Sequence, residues 1–495
     1  MSSVLIINLG SNDLKIKENC IIQLKELYAD DEEMQNYLKS EDSVKVNFRD
    51  LTKKLVDEFP KGIEFVEFPL IKAALNKLKK ELGEDNLEKI ILMSTNQDHT
   101  KDTHYLGMLV KKIHDERKDK SNIGLNEFSR LPKIQISSIK ENPADYDLMI
   151  ARYKNEIKKL NDISNLYVEI TGGTPAMAFA LIYNSTYESS GCVKPFYVNR
   201  NMTKAITLKV SDSLRKKNIV NQLKMLVKNR DYKGVQIILE NNRQIFSNEL
   251  DTIEVIDLFI KAATSRIEFD FKSAEEYIDI IIDKNPESRE VCNEFNRYIT
   301  NILKDDIIYI LNELKDNALY KYENGAYTDF LGRIFRTQED IYGQILKKLG
   351  FVNIDSKRKI RIIEDSLTNE QKTYLNNTEF QKGEPLNYLK CELNTESMRI
   401  ILEYLLNEND SENELFKMCT KLKNLKKLRN ESILAHGFNG VNEENIKKVI
   451  GDINKFLNDL IAKYIEVFDV KLYTDDFYSI DGKFNKYLLT LIEEI

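Results

Sequence analysis

The sequence predicts an α/β domain at the N-terminus, followed by a chain that is helical almost throughout. Short apolar runs alternate with helical spacing before about residue 210, and helical spacing dominates after residue 211. Six of the eight prolines lie before residue 196. Strands that alternate with helices are typical of a parallel sheet covered on both faces. With 495 residues, the chain has the length of about two to four domains.

Each element follows from its local pattern. The expected strands are residues 4–9, 89–93, 133–137, 166–170 and 195–198, and residues 205–210 could add an edge strand. Helical spacing between them covers residues 63–82, 105–116, 146–160 and 175–187. Further helices are expected at residues 221–228, 253–265, 273–283 and 292–314. We therefore predict three parts: an α/β domain at 1–210, a helical connector at 211–320 and an all-α domain at 321–495.

The composition is that of a globular protein in a reducing compartment. Apolar runs are only strand-length, far below the roughly 20 residues of a membrane span, and the start reads as a strand rather than a signal peptide. The five cysteines are far apart and odd in number, so we expect a cytoplasmic protein without a metal site or cofactor. The net charge of −7 means that nucleic-acid binding would need local basic patches.

The most informative segment is the glycine-rich turn after the expected strand 166–170. Thr174 is a good N-cap, and Pro175 suits the first helical position. Gly172 and Gly173 permit positive φ and a close approach of ligand to backbone. The free N–H groups of a helix start attract phosphate, and ligands of doubly wound sheets sit outside the carboxyl ends of the strands. The pattern therefore predicts a ligand-binding turn.

Polar residues also follow two other strands. Gly10, Ser11 and Asn12 follow the first strand, and a Ser-Thr-Asn-Gln-Asp turn follows residues 90–93. A tight turn without ligand is the alternative for a Gly-Gly pair alone, but three polar strand ends in one domain favour binding. The spacing is not GxGxxG and no P-loop lysine follows, which argues against a dinucleotide or ATP hydrolysis.

These three turns together resemble the CARF domain, the sensor module of type III CRISPR accessory proteins, over about residues 1–210. The resemblance implies a cyclic oligoadenylate bound across the two-fold axis of a homodimer. The residues that would line the pocket by this resemblance are Gly10, Ser11, Asn12, Thr95, Asn96, Gln97, Thr171, Gly172, Gly173, Thr174 and Pro175.

A second constellation lies near residue 430. Leu422, Leu425, Leu428 and Ile433 have helical spacing, which predicts one helix carrying Arg429 and His436 about two turns apart. His436 is the only histidine after residue 114, and His is the usual general acid or base at neutral pH. Arginine can clamp a phosphate with two donors. RNA supplies its own 2′-hydroxyl nucleophile, so this pair could cleave RNA without a metal.

For an arbitrary Arg and His on a helix, a surface arginine and a capping histidine are the alternative. Here the pair resembles the R-x₄₋₆-H signature of HEPN ribonucleases over about residues 320–495, and the segment 327–346 is similar to a helix that often precedes it. The resemblance implies catalytic roles for Arg429 and His436, a supporting role for Asn430, and a cleft shared between two protomers.

Together the two motifs resemble the CARF–HEPN ribonucleases of type III CRISPR defence. We therefore expect a homodimeric, metal-independent endoribonuclease that is activated by cyclic oligoadenylate and cuts single-stranded RNA to leave a 2′,3′-cyclic phosphate. A non-catalytic nucleotide sensor whose helical half binds a partner remains the alternative. The sensor could also slowly cleave its own activator. Lysines 421, 423, 426 and 427 could attract RNA or be ordinary surface residues.

Overall fold

The chain forms two compact units, residues 1–219 and 220–495. The structure, a computed structural model, describes residues 2–82, 87–116, 123–125, 128, 130–160, 163–189, 191–199, 201, 203–355, 358–377, 379–380, 384–385, 392–408, 410–432 and 439–495.

The N-terminal unit is built on a six-stranded sheet in the order β5-β4-β1-β6-β7-β8. Its strands are β1 (Ser2–Asn8), β4 (Leu87–Thr95), β5 (Lys133–Ile139), β6 (Ile163–Glu169), β7 (Cys192–Val198) and β8 (Ala205–Thr207). Within this six-stranded sheet the pairing of β7 with β8 is antiparallel, and the other described pairings are parallel. The central β1 has β4 on one side and β6 on the other, so the winding direction reverses at β1. Ligands of such sheets bind at this switch point.

Helices cover both faces of the sheet. They are α1 (Ile21–Leu27), α2 (Glu32–Tyr37), α3 (Glu41–Val46), α4 (Phe48–Asp57), α5 (Pro69–Leu82), α6 (His104–Asp115), α7 (Tyr146–Ile157), α8 (Pro175–Glu188) and the start of α9 (Val210–Lys228). Alternate side chains of β1 enter different cores, because successive strand residues point to opposite faces. Leu5 and Ile7 pack with α4–α6, and Val4 and Ile6 pack with α7 and α8.

Two predicted boundaries in this unit are wrong. The segment 63–82 is not one helix, because a 3-10 turn (Ile63–Phe65) and the short β3 (Val66–Glu67) precede Pro69, where α5 begins. Proline suits a helix start and disfavours helix in the residue before it. β3 pairs antiparallel with β2 (Lys15–Ile16). The predicted edge strand 205–210 is shorter, since α9 begins at Val210.

The C-terminal unit is mostly helical. Its helices are α10 (Tyr232–Asn242), α11 (Leu250–Ile267), α12 (Phe271–Lys284), α13 (Arg289–Leu303), α14 (Ile307–Glu323), α15 (Tyr327–Lys348), α16 (Asn369–Asn377), α17 (Thr395–Leu405), α18 (Ser411–Lys421), α19 (Lys426–Glu431), α20 (Glu443–Ile450), α21 (Ile453–Phe468) and α22 (Lys483–Glu494). The described strands are β9 (Val352–Ile354), β10 (Ile360–Ile362), β11 (Glu379–Phe380) and β12 (Glu384–Pro385).

A buried ion network joins distant segments of this unit. Arg266 on α11 is fully buried and pairs with Glu313 on α14 at 2.9 Å and with Asp475 at 2.5 Å. Its guanidinium also lies over the ring of Phe477 at 4.3 Å. Removing one partner of such a network leaves a buried charge uncompensated, so these contacts constrain the segment that precedes α22.

The predicted order, an α/β domain followed by helices, is confirmed. One helix, predicted at 292–314, is in fact two, because α13 ends at Leu303 and the side chain of Asp306 caps the start of α14. The residues from 220 onward form one compact unit, and the three-part division at residues 210 and 320 stays a prediction.

Candidate functional site

Two glycine-containing turns meet at the switch point of the sheet. Gly10 follows β1 and faces the turn that follows β6: an added Cβ on Gly10 would lie 2.9 Å from the backbone N of Gly173. A Cβ on Gly172 would lie 2.0 Å from the carbonyl oxygen of Asn8. Real Cβ atoms do not approach backbone so closely, so both positions require glycine for the turns to touch.

The touching turns form a pocket of about 270 Å³. Its lining consists of Gly10, Ser11, Asn12, Thr171, Gly172 and Gly173, together with Leu70, Val198 and Asn199. Six of the residues predicted from sequence are thus brought together, and Leu70, Val198 and Asn199 were missed because they come from other segments. Among the described lining residues none is charged. The pocket is uncharged and lined by backbone and neutral side chains, which suit a base or a ribose.

The turn after β6 has the predicted local conformation. Gly173 has a φ of +77°, and Pro175 is the first residue of α8. Thr174 caps the helix, since its Oγ1 accepts from the backbone N of Met177 at 3.2 Å. The same hydroxyl donates to the carbonyl of Pro143. Thr174 is therefore engaged within the protein, and neither it nor Pro175 is part of the pocket lining.

The third predicted turn, after β4, is held by contacts that sequence did not reveal. Thr95 is buried and exchanges hydrogen bonds with Thr103, from each backbone N to the other's Oγ1 at 3.0 and 3.1 Å. Arg49 pairs with Asp102 at 2.9 Å, and Asp102 accepts from the backbone N of Gln97 at 2.6 Å. These bonds order the turn.

Thr95, Asn96 and Gln97 do not line the 270 Å³ pocket. Arg49 also approaches the side-chain oxygen of Asn96, at 3.5 Å. Asn96 is half-buried and Gln97 is exposed, so both remain accessible from solvent at the carboxyl edge of the sheet.

Two carboxyl groups are buried directly beneath the pocket. Glu169, the last residue of β6, accepts from the backbone N of Thr171 at 2.8 Å, and Asp13 accepts from the backbone N of Gly10 at 2.7 Å. Burial raises the pKa of Glu169 to about 7. Burial first, and the neighbouring Glu169 second, raise the pKa of Asp13 well above its usual range. Each carboxyl thus supports one of the two turns and favours its protonated form.

The segment around Arg429 is not one long helix. The 3-10 helix Leu422–Leu425 leads into α19, and the backbone of Ser432 is extended. Both the Oγ and the backbone N of Ser432 donate to the carbonyl of Arg429, at 2.7 and 3.1 Å. Serine thereby takes the carbonyl that a continuing helix would use. The prediction of a single helix carrying Arg429 and His436 is therefore wrong, and His436 itself lies outside the described residues.

Arg429 lines a cleft of about 370 Å³ in the C-terminal unit. The other cations of the cleft are Arg336 from α15, Arg399 from α17 and Lys423 from the 3-10 helix. The Arg429 guanidinium lies 5.2 Å from the ring centroid of Phe335, a cation–π distance that favours one placement of the charged plane. The predicted supporting residue Asn430 is exposed and does not line the cleft.

The cations of this cleft differ in how they are paired. Arg336 contacts Glu339 at 2.9 Å, and Lys423 contacts Glu396 at 3.5 Å. Arg399 contacts Glu396 at 2.7 Å. Arg429 has no carboxylate partner in the part of the chain that the structure describes. An arginine without such a partner retains both its charge and its paired donors for a phosphate.

The described residues contain no group of three or more His, Cys, Asp or Glu that could hold a metal ion. The expected absence of a metal stays a prediction. None of the helices described has the length and apolar content needed to traverse a bilayer.

Comparison with known proteins adds the family of the C-terminal region. Residues 313–489 match the family model of the Cas_Csm6 HEPN domain. Among solved structures, the chain is similar to Csm6 of Enterococcus italicus bound to cyclic hexa-2′-fluoro-hexa-dAMP. That similarity has 14% sequence identity and a TM-score of 0.56, over 99% of this chain and 100% of that chain. At this identity the likeness shows the fold. No curated protein sequence matches the chain.

Proposed function

We propose that the chain is a CARF–HEPN protein of type III CRISPR defence and an endoribonuclease activated by cyclic oligoadenylate. This proposal is supported by the match of residues 313–489 to the Cas_Csm6 HEPN family model and by the similarity of the fold to Csm6. The observation that carries the nuclease assignment is Arg429, a cleft arginine without a carboxylate partner among the described residues. The observation that supports the activator is the pocket at the switch point of the CARF sheet.

The activator class follows from the pocket and from the structural relative. The pocket presents backbone and neutral polar groups at the carboxyl edge of a doubly wound sheet, where nucleotides bind in such folds. The similar Csm6 of Enterococcus italicus is bound to a cyclic oligoadenylate analogue. We assign contacts with the activator to Gly10, Ser11, Asn12 and the turn 171–173. Thr95, Asn96, Gln97, Thr174 and Pro175 would support it from the neighbouring turns.

In the proposed reaction the 2′-oxygen of RNA forms a bond to the adjacent phosphorus, and the bond from phosphorus to the 5′-oxygen breaks. His436 takes the proton of the 2′-hydroxyl or protonates the leaving oxygen, and Arg429 stabilises the charge that develops on the phosphate. The products are a 2′,3′-cyclic phosphate and a 5′-hydroxyl, and no water is consumed. Because each chain contributes one such His, two protomers would supply both an acid and a base.

A homodimer is supported by an aromatic ridge on the CARF unit. Phe179, Tyr183 and Tyr187 recur every four residues along α8 and are 48%, 42% and 46% exposed. Tyr146 of α7 extends the ridge, with its ring 5.8 Å from that of Phe179. Exposed apolar patches of this kind are typical of interaction sites.

The occupant that fits this ridge is a second copy of the same unit. The helix α8 begins at the pocket turn, so pairing along it would place two pockets next to each other. A pocket of about 270 Å³ is small even for a drug-sized ligand, which occupies about 300–1,000 Å³. A ring of several adenylates therefore needs more than one such pocket.

The decisive experiment is cleavage of a single-stranded RNA with and without cyclic tetra-adenylate and cyclic hexa-adenylate. We expect cleavage only with activator, products that end in a 2′,3′-cyclic phosphate, and no loss of cleavage with a chelator. Loss of cleavage in EDTA would contradict the metal-independent mechanism. Activator binding without cleavage would favour a non-catalytic sensor. Linear products from the activator would reveal the slow self-limiting cleavage that stays a prediction.

A further inference from the structure

The switch-point pocket alone leaves the charge of the proposed activator unmatched. A cyclic oligoadenylate carries one negative charge at every phosphodiester, whereas the described lining of the pocket contains no cation. Desolvating several phosphates without nearby positive charge is unfavourable. The activator site therefore requires cations on a surface that continues from the pocket.

A second groove in the same unit continues from the pocket. It has a volume of about 510 Å³ and shares Ser11 and Asn12 with the smaller pocket. Lys15 and Lys17 reach it from β2 and the residue after it, and Lys45 reaches it from α3. Glu18 is the one acidic residue among the described residues of its lining. We name this surface the lysine groove.

The lysines of the groove differ in how they are held. Lys17 donates from Nζ to the carbonyl of Glu64 at 2.6 Å, which anchors its ammonium. Lys15 and Lys45 are exposed, and neither has a carboxylate within salt-bridge distance in the described part of the chain. Glu67 is the residue opposite Lys15 in the β2–β3 ladder, but no ion pair joins their side chains. Two ammonium groups thus remain available to an anion.

We propose that the lysine groove is the phosphate subsite of the activator. This inference rests on the proposed function. The ring would pass over Ser11 and Asn12, with an adenylate in the neutral pocket and its neighbouring phosphodiesters facing Lys15 and Lys45. The two cavities would then bind different parts of the ligand: the neutral pocket would hold base and ribose, and the ammonium groups of the lysine groove would neutralise phosphate.

Isothermal titration of the full chain with cyclic tetra-adenylate and cyclic hexa-adenylate tests this subsite. The double variant Lys15→Gln and Lys45→Gln should bind at least about tenfold more weakly than wild type, because it loses charged hydrogen-bond donors to the phosphates. Its affinity should also depend less on salt, since fewer ionic contacts are formed.

Lys133→Gln is the control matched in charge to the single variant Lys45→Gln. Lys133 is exposed and is the first residue of β5, so it lies at the opposite end of the parallel strands, and its replacement removes one positive charge without touching either cavity. The control should bind as the wild type does, and the single variant Lys45→Gln should lie between it and the double variant.

Three failures can be told apart. Wild-type affinity in the double variant, with normal thermal unfolding, would overturn the lysine groove and leave the proposed function intact. Absence of binding by the wild-type chain would overturn the activator assignment and the groove with it. An equal loss of affinity in Lys133→Gln and in Lys45→Gln would show a general effect of net charge and would also overturn the groove.

Discussion

The two candidate sites use opposite chemistry. The switch-point pocket is built from backbone: its turns meet because Gly10 and Gly172 lack side chains, and no described lining residue is charged. The Arg429 cleft is built from side chains, and four cations are among its lining residues. A backbone site recognises shape and hydrogen-bonding edges, whereas an arginine cluster stabilises charge. We therefore expect the proposed activator binding and the proposed RNA cleavage to be sensitive to different kinds of mutation.

The largest effect is expected from removing either residue of the proposed catalytic pair. His436→Ala and, separately, Arg429→Ala should lower activated RNA cleavage by about 10²–10⁴-fold, the usual contribution of general acid–base catalysis for the histidine and of electrostatic stabilisation for the arginine. Titration with cyclic oligoadenylate should give the wild-type affinity in both. Cleavage at the wild-type rate by either variant would remove that residue from the mechanism. Lys486→Ala, an exposed position on α22 away from the cleft lining, is the surface control.

Stability should depend on pH through the carboxyl beneath the pocket. Burial raises the pKa of Glu169 from 4.5 to about 7, so the folded chain holds a proton that the unfolded chain has already released between these values. The contribution of Glu169 to the free energy of unfolding is therefore greatest below pH 4.5 and is lost as the pH rises through 7.

Between pH 4.5 and 7 the wild type should lose on the order of 3 kcal/mol of its free energy of unfolding through this group, and Glu169→Gln should not show that loss. Thermal unfolding of both proteins at a series of pH values measures it, with the exposed Glu116→Gln as the control. The neighbouring Asp13 acts in the same direction, because its pKa is also raised by burial. Parallel pH profiles for wild type and Glu169→Gln would contradict the buried, protonated carboxyl.

A single methyl group added in the turn after β6 should weaken activator binding. In Gly172→Ala the new Cβ would lie 2.0 Å from the carbonyl oxygen of Asn8, so the turn must move. We expect activator affinity to fall by about 10²-fold, the loss that a displacement of about 1 Å causes in a preorganised site. Gly440→Ala is the control, since nothing lies within 4 Å of its added Cβ. Unchanged affinity in Gly172→Ala would place the activator elsewhere.

The aromatic ridge should control the oligomeric state. Replacing Phe179 and Tyr183 by serine leaves the described core intact, because both side chains are exposed. We expect the dissociation constant of the dimer to rise by at least about tenfold, since truncated interface aromatics often cost more than 1 kcal/mol each. Sedimentation across a concentration series measures it. A variant that dimerises like the wild type would assign another surface to the dimer.

The smallest effect is expected at Phe335, which we regard as a positioning residue for Arg429. Phe335→Leu removes the ring that lies 5.2 Å from the guanidinium and should lower the maximal cleavage rate about threefold to tenfold, as a partly exposed cation–π contact predicts. The KM for RNA should change less. Phe335→Tyr retains a ring and should restore the rate. If Phe335 had a purely structural role, the tyrosine and leucine variants would have the same rate.

Local features of the sites could be predicted from the sequence. The strand, glycine turn, threonine cap and proline start of residues 166–175 occur as expected, because each depends on neighbours a few residues away. The order of strands and helices was predictable for the same reason. The motifs around Gly10 and Arg429 led to the CARF–HEPN resemblance.

Only the tertiary structure decided which side chains meet. Leu70 and Val198 join a pocket formed by residues 10–12 and 171–173, and Arg336 and Arg399 join the cleft of Arg429, although long stretches of chain separate them. The apolar spacing continues through Ile433 and therefore did not predict that the helix ends before Ser432. Periodicity records which face of a segment is buried, whereas contacts between segments depend on how whole elements pack.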